Sequence, residues 1–240
     1  MTEKLRVLTH NVFIQANARP AALREHVRAL MSLLREHDVT IACFQEVPRR
    51  FASILARESP THAAVVRPGP WPEEALVALL RKDRVCAHRD VDVRIDAHEG
   101  QLAVLDLRLR AAPTRVRLMH AHLDFYSRER RVRAADAIVA GIRTAPDHAV
   151  LACGDFNEAA EPDAIHAVLR AHGLVDAWDA TGPRERPGTF HGFKGLCGPS
   201  VHIDWVLASA RLPARSCVVL DDRRLAFSDH LPVLAELDVL

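Results

Sequence analysis

The stretch that most constrains this chain runs from residue 150 to residue 157 and reads Val-Leu-Ala-Cys-Gly-Asp-Phe-Asn. A short apolar run bounded by glycine is typical of a buried β-strand. Asp155 and Asn157 are two residues apart, so their side chains point the same way on an extended segment. A carboxylate and an amide at a strand end suit a metal-bound phosphate. An Asx-type turn, in which both side chains bond nearby backbone, explains this stretch equally well on its own.

The size and composition fit one large domain that mixes helices and strands. The chain has 240 residues, of which 49% are hydrophobic and 26% are charged, and its formal net charge is +1. These values allow a sizeable core and exclude a global basic field of the kind that dominates non-specific nucleic-acid binding. Since no repeat or linker divides the sequence, we predict a single domain over residues 1–240.

The cysteines and the amino terminus indicate a cellular location. Cys43 and Cys153 lie inside apolar runs and no CxxC pair occurs, which favours buried reduced thiols over a zinc or disulfide framework. The first residues do not resemble a signal peptide, and no apolar stretch is long enough for a transmembrane span. We therefore expect a soluble, cytoplasmic protein.

Hydrophobic periodicity predicts an α+β chain in which helices cover sheets. Helices are expected over residues 20–35, 48–57, 128–143 and 162–171. Strands are expected over residues 5–9, 39–44, 65–66, 75–80, 116–120, 150–153, 201–207, 217–220 and 232–239. Residues 85–109 alternate in two runs around Glu99-Gly100 and predict a hairpin, and the Gly- and Pro-rich residues 184–200 predict a long loop.

Polar side chains cluster where these strands stop, which is where a sheet scaffold gathers catalytic groups. Asp204 instead lies inside an apolar run, where a carboxylate is costly to bury unless it is paired. An outward-facing position on a half-exposed strand is the alternative for Asp204. The candidates at strand ends are Asn11, Glu46, His122, Asp155, Asn157, Asp229 and His230.

Two of these residue types indicate particular chemistry. A strand-end carboxylate such as Glu46 suits Mg²⁺, although an ordinary solvated glutamate gives the same pattern. A histidine held by a carboxylate is the usual general acid or base. Asp229 is adjacent to His230, and Asp204 could reach His230 or His122 through the fold. Because the chain has 14 histidines, surface or capping roles for His122 and His230 stay open.

Taken together, the motifs resemble the endonuclease/exonuclease/phosphatase superfamily, which includes pancreatic deoxyribonuclease, neutral sphingomyelinases and inositol-polyphosphate 5-phosphatases. The resemblance implies a four-layer α/β/β/α sandwich of the deoxyribonuclease-like type, with the site at one edge of the paired sheets. It also implies hydrolysis of a phosphate ester with Mg²⁺ or Mn²⁺. The motifs follow the family's order: Thr-His-Asn-Val around Asn11, Gln-Glu-Val around Glu46, His-Leu-Asp from His122, Gly-Asp-Phe-Asn from Gly154, Ile-Asp-Trp around Asp204 and Ser-Asp-His-Leu-Pro-Val from Ser228.

The resemblance assigns metal and water roles to five of the matching residues. Glu46 would be the main metal ligand, with Asn11 and Asp229 nearby. Asp155 would orient or deprotonate the attacking water, and Asn157 would bind the phosphate. These roles are consistent with in-line displacement, in which a metal and preorganised donors neutralise charge while a carboxylate aligns the water.

The resemblance also implies roles for two histidines near the phosphate and for the acid that orients one of them. His230 would stabilise the charge that develops on the scissile phosphate, His122 would be a phosphate ligand or acid, and Asp204 would orient a catalytic histidine. Two positions depart from the family pattern. His202 stands where an arginine often precedes Ile-Asp, and Phe125 stands where a histidine commonly follows the His-Leu-Asp motif.

Two substrate-binding candidates complete the set. Arg131 falls where many relatives carry an arginine, which contacts phosphate or braces the helix. His191 lies in a Thr-Phe-His-Gly-Phe segment that resembles one in small bacterial members. His191 could touch substrate or metal, or it could pack the loop together with Phe193.

The resemblance leaves the substrate open, because one fold hosts many chemistries. Cleavage of duplex DNA favours basic flanks and groove-inserting loops, whereas this chain has a net charge of only +1. Docking to a membrane favours an apolar element, for which Trp71 between prolines is only a weak candidate. We predict a divalent-metal-dependent phosphodiesterase or nuclease that acts on nucleic acid, a nucleotide or another phosphodiester, without a membrane partner. A phosphomonoesterase on a small phosphorylated substrate and a non-catalytic binding module are the alternatives.

Overall fold

The computed structural model describes residues 3–14, 19–69, 74–159, 164–182, 185–194 and 200–240. The helices are α1 (Pro20–Glu36), α2 (Arg49–Glu58), α3 (Arg128–Arg143), α4 (Ala164–Ala171) and α5 (Ala177–Thr181). The strands are β1 (Glu3–Asn11), β2 (Ile41–Val47), β3 (His62–Pro68), β4 (Ala75–Arg81), β5 (Val85–Val91), β6 (Gly100–Leu109), β7 (Arg115–Leu123), β8 (Ala149–Asp155), β9 (Leu174–Asp176), β10 (Asp204–Ser209), β11 (Ala214–Val219) and β12 (Val233–Val239).

The strands form two six-stranded mixed sheets. The first sheet has the order β11-β12-β1-β2-β4-β3, and the second has the order β5-β6-β7-β8-β10-β9. Inward-facing side chains of both sheets, such as Val7 and Leu118, fill the core between them. Helices α1 and α2 pack on the other face of the first sheet, and α3 and α4 pack on the other face of the second. This arrangement confirms the predicted four-layer α/β/β/α sandwich.

The strand pairing explains why polar residues gather at one edge. Strands β1 and β2 are parallel neighbours, and so are β7 and β8, in which His122 lies beside Asp155. Strand β10 runs antiparallel to β8, with Asp204 opposite Asp155. Because parallel neighbours end at the same side of a sheet, the polar ends of four strands from two sheets meet at one edge.

Most predicted elements occur, and the differences have local causes. The first strand of the 85–109 hairpin ends at Val91, so the alternating Val93 and Ile95 lie in the connection to β6. Val201 is not in β10 but forms an isolated bridge with Phe190. Strand β9 and helix α5 were not predicted, because three and five residues are too short for a periodic signal. Pro162, Trp71 and Cys197 lie outside the described residues.

Two further sequence predictions can be compared with the structure. Cys43 and Cys153 are buried free thiols, as predicted. Across the described ranges, the longest and most apolar helices fall short of what crossing a bilayer requires.

Candidate active site

The polar strand ends line a cleft of about 600 Å³ at the shared edge of the two sheets. Asn11 and Asp204 lie behind the cleft wall, fully buried, where they hold the residues that face it. The structure therefore brings together the eight residues that the motifs predict. Six of them face the cleft: Glu46, His122, Asp155, Asn157, Asp229 and His230.

Asn11 joins the acids of the two sheets. Its Nδ2 donates to Glu46 Oε1 over 2.9 Å and to Asp155 Oδ2 over 3.0 Å. The backbone N–H of Phe13 donates to Asn11 Oδ1 over 3.1 Å, which fixes the amide orientation. One amide group thus sets the distance between a carboxylate of the first sheet and a carboxylate of the second.

Glu46 reaches the cleft because β2 is irregular at this point. The sequence predicts that Glu46 follows its strand, but the structure places it inside β2 with a φ of 53°. The pairing of β2 with β4 shifts register between Phe44 and Val47. Such a bulge re-aims one side chain, and a positive φ in a non-glycine residue is a local cost that is common at functional sites.

Asp204 and His230 form a buried pair. His230 Nδ1 donates to Asp204 Oδ2 over 2.9 Å, and both side chains are almost fully buried. Burial alone would lower the pKa of His230, but the charge and hydrogen bond of Asp204, with Asp155 and Asp229 nearby, raise that pKa to about 10. The imidazole is therefore a cation at neutral pH. Burial of the Asp204 carboxylate would cost free energy without a partner, and His230 is that partner.

Asp155 likewise has a raised pKa, which in a carboxyl group favours the neutral form. Burial raises the pKa of Asp155 to about 6, and the neighbouring Asp204 charge adds to this effect. The charges of His230 and His122 and the hydrogen bond from Asn11 oppose the rise. His230 Nε2 lies 3.7 Å from Asp155 Oδ2. A carboxylate whose pKa lies near neutrality is suited to accept a proton.

Asn157 corrects one step of the sequence argument. Strand β8 ends at Asp155 and Asn157 has a φ of 53°, so the two side chains are not related by strand alternation. The Asn157 N–H donates to Asp155 Oδ1 over 2.8 Å, and its Nδ2 donates to the Leu123 carbonyl over 2.9 Å. The Asx-type turn is therefore present, and it orients Asp155 within the cleft.

The remaining cleft candidates surround these acids. His122 Nε2 lies 3.6 Å from Glu46 Oε1 and 3.9 Å from Asp155 Oδ2. Asp229 has a buried Oδ1 without a hydrogen-bond partner among the described residues. Burial raises the pKa of Asp229, although the His230 charge opposes it. His122 and Asp229 thus flank the cleft with groups that are not fully paired.

Arg131 and His191 are not in the described lining of the cleft. The Arg131 guanidinium donates to Glu158 and to the carbonyls of Asp124 and Phe125, so its bonds brace the start of α3. The His191 backbone N–H donates to the Asp229 carbonyl over 2.9 Å, and its ring meets the Phe193 ring edge to face with centroids 6.5 Å apart, as expected if the two residues pack the loop. Of the two readings for each residue, the contacts favour the structural one.

Sequence reasoning missed several residues that support the site. Ser228 Oγ donates to the Asn11 carbonyl over 2.6 Å and accepts from the His230 N–H over 3.0 Å. Thr189 Oγ1 accepts from the Asp204 N–H over 3.1 Å. Ser228 begins the Ser-Asp-His-Leu-Pro-Val motif and Thr189 begins the Thr-Phe-His-Gly-Phe segment. Their positions beside candidate site residues in the sequence could therefore have indicated a supporting role. No local pattern singles out the remaining missed residue, the cleft-lining Glu74.

The charges of the cleft fit a divalent cation. Burial raises the pKa of Glu74, and the charge of Glu46 adds to it. Glu46 likewise adds to the raised pKa of Asp229, whose Oδ1 is buried and unpaired. Repelling carboxylates with an unsatisfied oxygen are the donor set that Mg²⁺ or Mn²⁺ prefers. A second close set consists of Asp155, Asp204 and His230, whose ligand atoms lie within 4.8 Å of one another.

Comparison with known proteins finds a family model that matches most of the chain. Residues 8–230 match a family model described as Endonuclease/Exonuclease/phosphatase family. No curated protein matches the sequence.

Solved structures match over nearly the whole chain. An endonuclease/exonuclease/phosphatase family protein of Bacteroides thetaiotaomicron has a TM-score of 0.84 at 18% identity and covers 100% of this chain and 99% of its own. A mannosyl-6-phosphatase of the same species has 0.79 at 18%, covering 97% and 99%. D. rerio TDP2 complexed with single strand DNA product has 0.76 at 18%, covering 98% of each chain. Identities this low establish the fold alone.

Proposed function

This chain belongs to the endonuclease/exonuclease/phosphatase family, and from that premise we propose that it is a divalent-metal-dependent phosphodiesterase or nuclease. The observation that carries the proposal is the pairing of a buried base with a buried cation at one cleft. Asp155, with a pKa of about 6, lies 3.7 Å from the imidazolium of His230. Proton removal and charge stabilisation, which the hydrolysis of any phosphate ester needs, are supplied by adjacent groups.

The proposed reaction gives a role to each of the residues at the cleft. Asp155 accepts a proton from the water whose oxygen attacks phosphorus. His230, held by Asp204, presents Nε2–H to the phosphate oxygens on which charge develops. His122, 3.9 Å from Asp155, would contact the phosphate or give a proton to the leaving oxygen. Asn157, which also lines the cleft, would bind the phosphate.

Glu46 and Asp229 would hold the cation through carboxylate oxygens. A bound divalent cation supplies charge neutralisation at the phosphate oxygens. Asn11 is placed to orient Glu46, because its amide nitrogen rather than its oxygen faces that carboxylate. We favour these residues over the Asp155, Asp204 and His230 set, because Asp204 is buried behind the cleft wall and already bonded to His230 Nδ1.

Phosphomonoester hydrolysis is the second candidate. A mannosyl-6-phosphatase shares this fold with a TM-score of 0.79 over 97% of this chain, so the same architecture accommodates a terminal phosphate. A non-catalytic binding module is less well supported, because Glu46, Asp155 and His230 all face one cleft.

The test is hydrolysis of bis-p-nitrophenyl phosphate and p-nitrophenyl phosphate in parallel, with Mg²⁺ or Mn²⁺ and with EDTA. We expect metal-dependent cleavage of the diester. Cleavage of the monoester alone would replace the proposal with a phosphomonoesterase. No cleavage of either ester, together with no Mg²⁺ or Mn²⁺ binding by calorimetry, would favour the binding module.

A further inference from the structure

Two adjacent aromatic side chains stand exposed at the rim of the cleft. Phe125 is 62% exposed and Tyr126 is 88% exposed, and both line the cleft. Their rings meet edge to face, with centroids 5.3 Å apart and an interplanar angle of 84°. Isolated exposed apolar residues are common, but two neighbouring rings at the mouth of a polar cleft indicate contact with a ligand. We call Phe125 and Tyr126 the aromatic rim.

Hydrogen bonds fix the backbone that carries the aromatic rim. Asp124 Oδ1 accepts from the N–H of Tyr126 over 3.0 Å and from the N–H of Ser127 over 2.6 Å. Arg131 Nη1 donates to the carbonyls of Asp124 and Phe125 over 3.0 and 3.3 Å. These bonds fix the backbone that carries both rings, which lowers the entropy lost when a ligand binds.

Two further aromatic residues line the same cleft. Phe13, which follows β1, lines the cleft and packs against Phe193 with ring centroids 5.6 Å apart. Phe190 lines it as well and lies 5.0 Å from the His230 ring. Four of these rings therefore line the cleft that contains the residues assigned to the phosphate.

Two polar side chains beside the aromatic rim are engaged with neighbouring groups. The Asp124 carboxylate accepts two backbone N–H groups and the Arg130 guanidinium, the latter over 3.4 Å. The Asn157 amide nitrogen donates to the Leu123 carbonyl. A flat heteroaromatic group can bind through the ring faces of Phe125 and Tyr126 without a further hydrogen-bond partner.

We propose that the aromatic rim stacks against a nucleobase of the substrate, so that the enzyme acts on nucleotidyl esters. This inference rests on the proposed function, because it places the phosphate at Asp155 and His230. Bases of every kind stack on aromatic side chains, so recognition at Phe125 and Tyr126 selects the class of substrate rather than one base.

Tyr126 provides a direct test because it is the only tyrosine of the chain. Protein labelled with 3-fluorotyrosine should give one ¹⁹F resonance. The labelled protein is titrated with AMP and with ribose 5-phosphate, which carries a hydroxyl in place of the base, in EDTA and again with Mg²⁺. We expect AMP to shift the resonance and to bind at least about tenfold more tightly than ribose 5-phosphate, the scale of one lost stacking contact.

Variants separate stacking from other causes. Phe125→Ala with Tyr126→Ala should weaken AMP binding by about tenfold or more and leave ribose 5-phosphate binding unchanged. Tyr126→Phe, which keeps the ring, should retain AMP affinity, measured by calorimetry with unlabelled protein. Val175→Ala, at an exposed residue of β9 outside the cleft lining, is the matched control and should change neither ligand.

Three results would overturn the inference: equal affinity for AMP and ribose 5-phosphate, no AMP effect in either EDTA or Mg²⁺, or a Tyr126 shift caused by phosphatidylglycerol vesicles and not by AMP. The last result would indicate a lipid-facing role. The diester assay keeps this outcome distinct from failure of the proposed function. Metal-dependent hydrolysis without an AMP preference overturns only the base contact.

Discussion

At the scale of single residues, the site raises two pKa values, which favours the neutral form of Asp155 and the charged form of His230. Burial raises the pKa of Asp155 to about 6, whereas Asp204 and the other acids overcome burial and raise the pKa of His230 to about 10. At neutral pH the pair is a carboxylate base beside an imidazolium. This state costs stability, because an ionised carboxylate is held out of water.

That cost predicts how Asp155→Asn changes the pH dependence of stability. The folded-state pKa of Asp155 lies above its unfolded value of 3.8, so its contribution to stability is fully present below pH 3.8 and is lost as pH rises through about 6. The variant cannot ionise and avoids this loss. Between about pH 4 and pH 7, the difference in free energy of unfolding should move in the variant's favour by about 2–3 kcal/mol.

The measurement is urea denaturation of both metal-free proteins at each pH. Comparing two pH values removes any pH-independent effect of the lost hydrogen bond. A constant difference would show that the pKa of Asp155 is not raised.

Sequence reasoning did well for residues in motifs and poorly for their orientation. It placed Glu46, Asp155 and His230 at one site, because strand ends and motif order are local features. It misjudged Asn157, whose direction depends on the Leu123 carbonyl of another strand. It missed the contribution of Glu74, which enters through pairing of β4 beside β2.

At the scale of elements, the site depends on close contact between β7 and β8. Gly154 has a φ of 144°, and a Cβ at this position would lie 1.8 Å from the Ala121 carbonyl oxygen of β7. The glycine lets the two strands approach directly before Asp155. The Gly-Asp-Phe-Asn motif therefore has a backbone requirement in addition to its chemistry.

Gly154→Ala should destabilise the protein by about 3 kcal/mol or more, because strain and backbone overlap add. Gly173 is the matched control: its φ is 82°, but no atom lies within 4 Å of an added Cβ. Gly173→Ala should cost about 1 kcal/mol. Chemical denaturation measures both, and equal losses would contradict the account of the β7–β8 contact.

Arg131 joins helix α3 to the backbone of Asp124 and Phe125, which precede the helix. Arg131→Lys should lower the free energy of unfolding by about 1–3 kcal/mol, because a lysine cannot bond two carbonyls and Glu158 in one geometry. Arg128→Lys, at a more exposed partner of Glu158, should change it by less than about 0.5 kcal/mol. A raised KM without loss of stability in Arg131→Lys would support the phosphate-binding role instead.

Elements were predictable where their periodicity was long. Residues 128–143 were predicted as a helix and form α3 with the same bounds. The bulge at Glu46 was not predictable, because it depends on how β2 pairs with β4. Tertiary pairing, rather than local propensity, decides such details.

At the scale of the whole molecule, the site exists only when the two sheets are packed together. Asn11 and Glu46 come from the first sheet, and His122, Asp155 and Asp204 come from the second. Strand β1 and its partner β12 come from opposite ends of the chain, and both contribute to the core between the sheets. For this reason we propose that residues 1–240 form a single domain.

The measurement that tests the central claim most directly is hydrolysis of bis-p-nitrophenyl phosphate by wild type, Asp155→Asn and Glu46→Gln proteins across Mg²⁺ and Mn²⁺ concentrations. Wild type should need the metal, Asp155→Asn should lose about 1,000-fold or more at every metal concentration, and Glu46→Gln should need more metal for a lower rate. Hydrolysis that persists in EDTA, or an Asp155→Asn rate close to that of wild type, would contradict the account.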